Sequence, residues 1–253
     1  MLSMMRSNLY RLVKTRFTWV FVVICLACVY LSVLSTWIMV ANSPASSVSF
    51  TAAQMYGSAF SGGMVPLFAS VLLASFLSAD FKTKSIKNVV QAKGGRASYA
   101  LAAAVTIFVI CIALAIVCSA VAEIAYRSLG FTITDYDAGA LIPLFVQVIL
   151  VSAAYSSIIA LIVFASGSET LGVVAAILIA SGLVEALLRS AFLNVFSEVP
   201  FLRDCLDGYL ASQLSGVGSG TLSDAGGFIA AAVTIVVAIG ACVAVMRRRE
   251  LAP

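Results

Sequence analysis

Six apolar runs, each about the length that crosses a bilayer, recur along the chain between short polar segments. A spanning helix needs about 20 predominantly apolar residues. That rule predicts spans at Phe17–Ala41, Ser58–Ala79, Ser98–Ala122, Ala140–Ala165, Leu171–Ala191 and Gly226–Met246. The fourth and fifth are separated only by Ser166-Gly167-Ser168-Glu169-Thr170, which reads as a tight hairpin turn. The predicted fold class is all-α, a polytopic membrane protein with six transmembrane helices in one domain, 1–253. Arg6, Arg11, Lys14 and Arg16 precede the first run, as in a signal peptide. A signal h-region holds only about 7–15 apolar residues, so this longer run is read as an anchor.

The segment before the first span, 1–16, has its own periodicity. Leu2, Met5, Leu9, Leu12 and Val13 fall on one helical face, with Ser7, Arg11 and Lys14 on the other. This predicts either an amphipathic helix along the inner membrane surface or an ordinary basic start to an anchor. Asn42–Gly57 carries no charge and holds Pro44 and several serines, a loop signature. Phe192–Ala225 is longer: an apolar helical face at Phe192, Val195, Phe196 and Val199, then Arg203, Asp204 and Asp207, then the Gly/Ser-rich 215–220. It predicts a pair of short external helices followed by a flexible loop.

Composition agrees with a membrane solvent. The chain is 62% hydrophobic and 10% charged, with a mean hydropathy of +1.10, whereas soluble domains carry about 25% charged residues. The 15 Lys and Arg residues divide by topology. The N-terminus, the loop between the second and third spans and Arg247-Arg248-Arg249 hold all but Arg127, Arg189 and Arg203. The positive-inside rule therefore puts both termini in the cytoplasm. Clustered in this way, the cations are topology signals and not a nucleic-acid footprint.

The chain has no histidine, which argues against H-E-x-x-H metalloproteases and against Ser-His or Cys-His hydrolases. Of its six cysteines, Cys25, Cys28, Cys111, Cys118 and Cys242 lie in apolar runs, where cysteine behaves as a small hydrophobe. Cys205 falls in the external segment, and no metal-ligand spacing occurs.

Charge is sparse near the spans. Glu123 and Arg127 sit four apart near the outer end of the third span, and Glu185 and Arg189 repeat that order in the fifth. Glu N-terminal to Arg at i, i+4 is the favoured helical pairing. Two readings stay open: self-neutralising pairs that snorkel to the outer headgroups, or a polar lining at the outer mouth of a substrate path. Small residues at Ser152, Ala153, Ser156 and Ser157, and at Gly57, Ser61 and Gly62, allow close helix approach and read as packing contacts.

The loop from Asp80 to Arg96 is the most informative stretch. Five cations mark it as cytoplasmic, and Ile86, Val89 and Val90 fall at i, i+3 and i+4 on one face of a short helix. Asp80, then Ser85-Ile86-Lys87-Asn88, then Arg96 with Tyr99 opening the next helix resembles the loop of type-2 ABC exporter permease subunits. Lys84 stands where that family often has glycine, and Ala102-Ala103-Ala104 where a lysine is common. The resemblance covers the whole chain in architecture and about seventeen residues in motif. The compact permeases of lantibiotic or bacteriocin immunity and peptide-antibiotic resistance look nearest.

The resemblance implies a permease domain with an elbow helix at 1–16, a cytoplasmic coupling loop at 80–97 and external helices at 192–225. Asp80, Lys84, Ser85, Ile86, Lys87, Asn88 and Arg96 would couple the permease to a separate ATPase subunit. Glu123, Arg127, Glu185 and Arg189 are candidates for the substrate path. No G-x-x-x-x-G-K-[ST] phosphate loop occurs here, so ATP and Mg are expected on the partner ATPase, with no cofactor and no catalysis on this chain. A second six-span permease, as a homodimer or heterodimer, would complete the pathway. The expected setting is the bacterial plasma membrane. The alternative class is a motorless secondary transporter or a membrane scaffold. Secondary transporters tend to use broken helices at the midplane, and the mid-span regions here hold almost no ionisable groups.

Overall fold

The structure, a computed structural model, describes residues 2–41, 49–60, 64–82, 95–184, 186, 187, 190 and 225–248. Helix α1 (Leu2–Lys14) leads into α2 (Arg16–Ala41), and strand β1 (Ser49–Thr51) into α3 (Ala52–Phe60). Then come α4 (Met64–Lys82), α5 (Gly95–Ser128), β2 (Thr132–Thr134), α6 (Ala138–Ser166), α7 (Glu169–Ala180) and α8 (Ala225–Arg248).

Among the described residues, five helices are long and apolar enough to cross a membrane: α2, α4, α5, α6 and α8. A helix apolar all round belongs either in a large core or in lipid, and exposure decides between them. In α2 only Cys25, Val29 and Val33 are buried, at i, i+4 and i+8, while Trp19, Val23, Leu31 and Ile38 face outward. In α8, Ala231, Ile235, Ala238, Cys242 and Met246 face inward, and Ile229, Val233, Val236 and Val237 face out. Such continuous apolar outer faces require lipid. The chain is a helical, multi-pass membrane protein.

The centre of the bundle is α4 against α6, both buried along most of their length. Helix α6 also packs on α5, α7 and α8, and α5 on α1, α2 and α3. Close approach rests on small residues. Ser70 of α4 and Ser156 of α6 bring their hydroxyls to 3.3 Å. A Cβ on Gly172 would lie 2.5 Å from Val163 Cγ2 and 3.1 Å from Ala74 Cβ, so α7 meets α6 and α4 at a distance only glycine permits. In lipid, where apolar burial supplies little drive between helices, this packing is what joins them.

Several expectations are corrected. The all-helical class holds, with one small addition: β1 and β2 pair in parallel, Ser49 with Thr132 and Thr51 with Thr134. The stretch 42–57, read as a loop, contains β1 and most of α3, and the second crossing starts at Met64, not at Ser58. Residues 49–60 fold because Met55, Tyr56, Ala59 and Phe60 pack inward against the bundle. Helix α5 outruns its predicted span at both ends; its 34 residues reach about 51 Å at 1.5 Å per residue.

The fifth span is not continuous over Leu171–Ala191. Helix α7 ends at Ala180 after 12 residues, and Gly182 adopts φ 72°, a left-handed conformation that breaks the helical path. The predicted hairpin is present: α6 ends at Gly167 and Ser168 caps α7. The segment 192–225, expected to be external, lies outside the described residues apart from Ala225.

Thr15 separates α1 from α2. A break leaves carbonyls of the last turn without helical partners. Thr15 donates to the Arg11 carbonyl through both N–H (3.0 Å) and Oγ1 (2.7 Å), and the Trp19 indole donates to the Val13 carbonyl at 2.8 Å.

Candidate functional site

Polar side chains gather at the two ends of the bundle. At the end holding the N-terminal helix, the centre is Asp80 in the last turn of α4, fully buried. A desolvated carboxylate costs several kcal/mol unless it is paired and hydrogen-bonded. Here Arg11 Nη2 lies 2.6 Å from Asp80 Oδ1, and Tyr99 donates its hydroxyl to Asp80 Oδ2 at 2.7 Å. The Arg11 guanidinium also sits 5.3 Å from the centre of the Phe76 ring, a cation–π distance. One carboxylate thus ties together α1, the end of α4 and the start of α5, on both flanks of residues 83–94.

One turn away is a second cluster. Lys82 Nζ pairs with Glu169 Oε2, and Ser75 donates to Glu169 Oε1 at 2.7 Å. These contacts join α4 to the first turn of α7. The Lys82 ammonium foremost, then the Ser75 hydroxyl, hold the Glu169 carboxyl below the usual carboxylate range. Between the two clusters lies a cavity of about 260 Å³, bordered by Arg11, Thr15, Thr18, Ser75, Lys82 and Glu169 over an apolar floor.

At the opposite end, Glu123 organises the last turns of α5. Arg127 Nη2 donates to its Oε1 at 2.7 Å, and Tyr56 donates to its Oε2 at 2.9 Å. Tyr136, after β2, reaches Arg127 Nη2 at 3.2 Å. Burial, and after it the bond to Glu123, push the Tyr56 phenol up to about 12. Phe50, Tyr126 and Phe131 pack their rings beneath the strand pair at 5.2–5.4 Å between centres.

Of the sequence-predicted residues, Asp80 is brought into a cluster, and Glu123 and Arg127 form their i, i+4 pair. Lys84, Ser85, Ile86, Lys87, Asn88, Glu185 and Arg189 lie outside the described residues. Arg96 falls in the first turn of α5. Arg11 was assigned to the polar face of 1–16, yet its guanidinium turns to the buried Asp80, and Val13 of the apolar face is 59% exposed. The reason is electrostatic: a carboxylate buried as deeply as Asp80 draws a cation to it.

Glu169 and Lys82 were read only as hairpin and topology residues. The available signal was that Glu169 is the sole acid in a turn beside apolar runs. Tyr56 and Tyr136 carried no signal, since their partners lie 67 and 13 residues away.

Among the described residues, no three His, Cys, Asp or Glu side chains converge in a manner that suits a metal ion. No family model matches the chain, and no curated protein matches its sequence.

Proposed function

We propose that this chain is the membrane-spanning subunit of an ATP-driven exporter of the type-2 ABC class, acting in the bacterial plasma membrane with both termini cytoplasmic. The carrying observation is the Asp80 junction. The basic loop enters from α4 and leaves into α5, and the carboxylate that bridges those two helices is also bound by the N-terminal helix. A soluble ATPase that grips the loop and α1 would therefore pull on one connected unit. Arg11 passes force to α4 through Asp80, and Tyr99 passes it to α5.

In this reading Lys84, Ser85, Ile86, Lys87, Asn88 and Arg96 form the contact with the ATPase, which holds ATP and Mg. The interrupted fifth run, Leu171–Ala191, supplies the remaining crossing. A second permease, identical or paired, completes the path. The cargo is amphipathic, an antimicrobial peptide being the class the resemblance favours, and it leaves past the Glu123–Arg127 end, with Glu185 and Arg189 as further lining.

Affinity purification of the full chain from its native membrane, with partners identified by mass, tests this reading. A co-purifying soluble ATPase is expected, and charge reversal at Lys87 and Arg96 is expected to weaken its association while insertion is retained. Recovery of the chain with no ATPase and no nucleotide-dependent activity would overturn the proposal in favour of a motorless transporter or scaffold.

A further inference from the structure

The cavity between Arg11 and Glu169 has an apolar neighbour. It shares Thr18 and Leu72 with a second space of about 170 Å³, bordered by Leu12, Trp19, Val22, Ile110 and Leu114. The two spaces adjoin across Thr18 and Leu72, the first with a polar mouth and the second apolar, where α1 turns into α2 against α4 and α5, and together they are taken as one cleft.

The charge at the mouth favours an anion. Arg11 and Lys82 both border it, with side chains 39% and 63% exposed, against the single carboxylate of Glu169. Asp80 balances Arg11 from behind but is only 1% exposed and does not line the space. A guanidinium has five N–H donors in a planar fork, so contact with Asp80 leaves donors for a second oxyanion. Lys14 and Arg16 flank the turn at Thr15, exposed.

The interior selects among anions. A soluble phosphate would use only the mouth and leave the space beside Trp19 empty. A phosphodiester that carries acyl chains fills both parts, and the outward apolar face of α2 borders lipid. We propose that this cleft is a binding site for an anionic phospholipid, with its phosphate at Arg11 and Lys82 and one acyl chain laid past Thr18 along Leu12, Trp19 and Leu114. The site depends on membrane residence and not on the exporter reading, so either can fail without the other.

Trp19 and Trp37 are the only tryptophans, and Trp19 borders the acyl part of the cleft, which gives a direct readout. The full chain with Trp37→Phe is placed in phosphatidylcholine bilayers with a minor fraction of phosphatidylglycerol bearing brominated chains, and quenching of Trp19 is measured. The local lipid is expected to be enriched about five-fold over its mole fraction, the gain of about one favourable charge at a membrane surface. Brominated phosphatidylcholine at the same fraction is expected to quench only in proportion to its amount.

Ala113→Phe, which fills the apolar part, and Arg11→Gln with Lys82→Gln, which removes the mouth cations, should each return phosphatidylglycerol quenching to proportion. Proportional quenching by both lipids in the Trp37→Phe protein would overturn the proposal. So would equal enrichment of the two headgroups, since the site would then read chains and not charge.

Discussion

Arg11 and Asp80 lie 69 positions apart in the sequence, yet Nη2 and Oδ1 meet at 2.6 Å, and this contact fixes the N-terminal helix to the end of α4. The two residues are unequal partners: Asp80 is almost wholly buried, whereas Arg11 keeps two-fifths of its side chain exposed. Loss of the arginine therefore costs more than loss of the pair. Arg11→Gln is expected to destabilise the helix bundle by about 2–3 kcal/mol, below the 3–5 of a fully buried pair because the arginine is partly solvated. Arg11→Gln with Asp80→Asn should recover part of that loss. Thermal unfolding of the four proteins in one detergent, read as a double-mutant cycle, checks both values.

Gly172 sets how closely α7 can approach its neighbours. Gly172→Val would place a methine carbon within 2.5 Å of Val163 Cγ2. Val163 is fully buried and has little room to yield. Overpacking of this kind costs about 1–3 kcal/mol. Cysteine cross-linking between α4 and α7, at Ser75 and Glu169, should drop in the variant if α7 is displaced.

Glu169 introduces an acid-side dependence. Its folded carboxyl is held below the usual range by Lys82 and Ser75, so the pair's contribution is complete above the unfolded value of about 4.3. It is lost as pH falls through the lower folded value. Because the pair is partly exposed, the contribution is small, within about 1 kcal/mol. Glu169→Gln should flatten this part of the stability profile, measured as unfolding temperature from about pH 6 downward to about pH 3.

Tyr56 acts at the opposite extreme of pH. Its phenol is raised from about 10 to about 12, so the stability it confers is full below about 10 and declines as pH rises toward the folded value. Tyr56→Phe should cost about 1 kcal/mol at neutral pH, the net worth of one hydrogen bond. The gap between the variant and the parent should narrow between about pH 10 and about pH 12, followed by unfolding temperature.

The crossings α2, α4, α5, α6 and α8 are legible in the sequence because an apolar run of membrane length has few other uses. What escapes is anything that depends on distant contacts. The pairing of Phe50 with Ile133 joins strands of three residues across 83 positions, and no local pattern in Ser49–Thr51 announces it. Helix α3 is short, weakly polar and stabilised by the aromatic packing of Tyr56 and Phe60 on Phe145. The break in the fifth run was readable in principle from Ser181-Gly182, a helix-weakening pair that average hydropathy smooths away.

At the basic end, helical periodicity assigned Arg11 to water because a cation on an amphipathic segment usually faces it. The periodicity of 1–16 contains no information about a carboxylate at position 80. Asp80 was singled out only through the resemblance of its loop, and nothing in the sequence pointed to Arg11 and Tyr99 as its partners.

The narrow inward stripe of α2, Cys25, Val29 and Val33, has a consequence for what unfolding means in this protein. With apolar residues on its remaining faces, α2 loses no hydrophobic shelter when it leaves its neighbours, because the acyl chains receive it as readily as they received its outer side. The denatured reference is therefore a set of inserted helices that have come apart, not a hydrated coil. Variants weakened at Gly172 or Arg11 should fail as dispersed spans with normal protease-protected topology, so damage to this protein would be visible as lost assembly before it is visible as lost insertion.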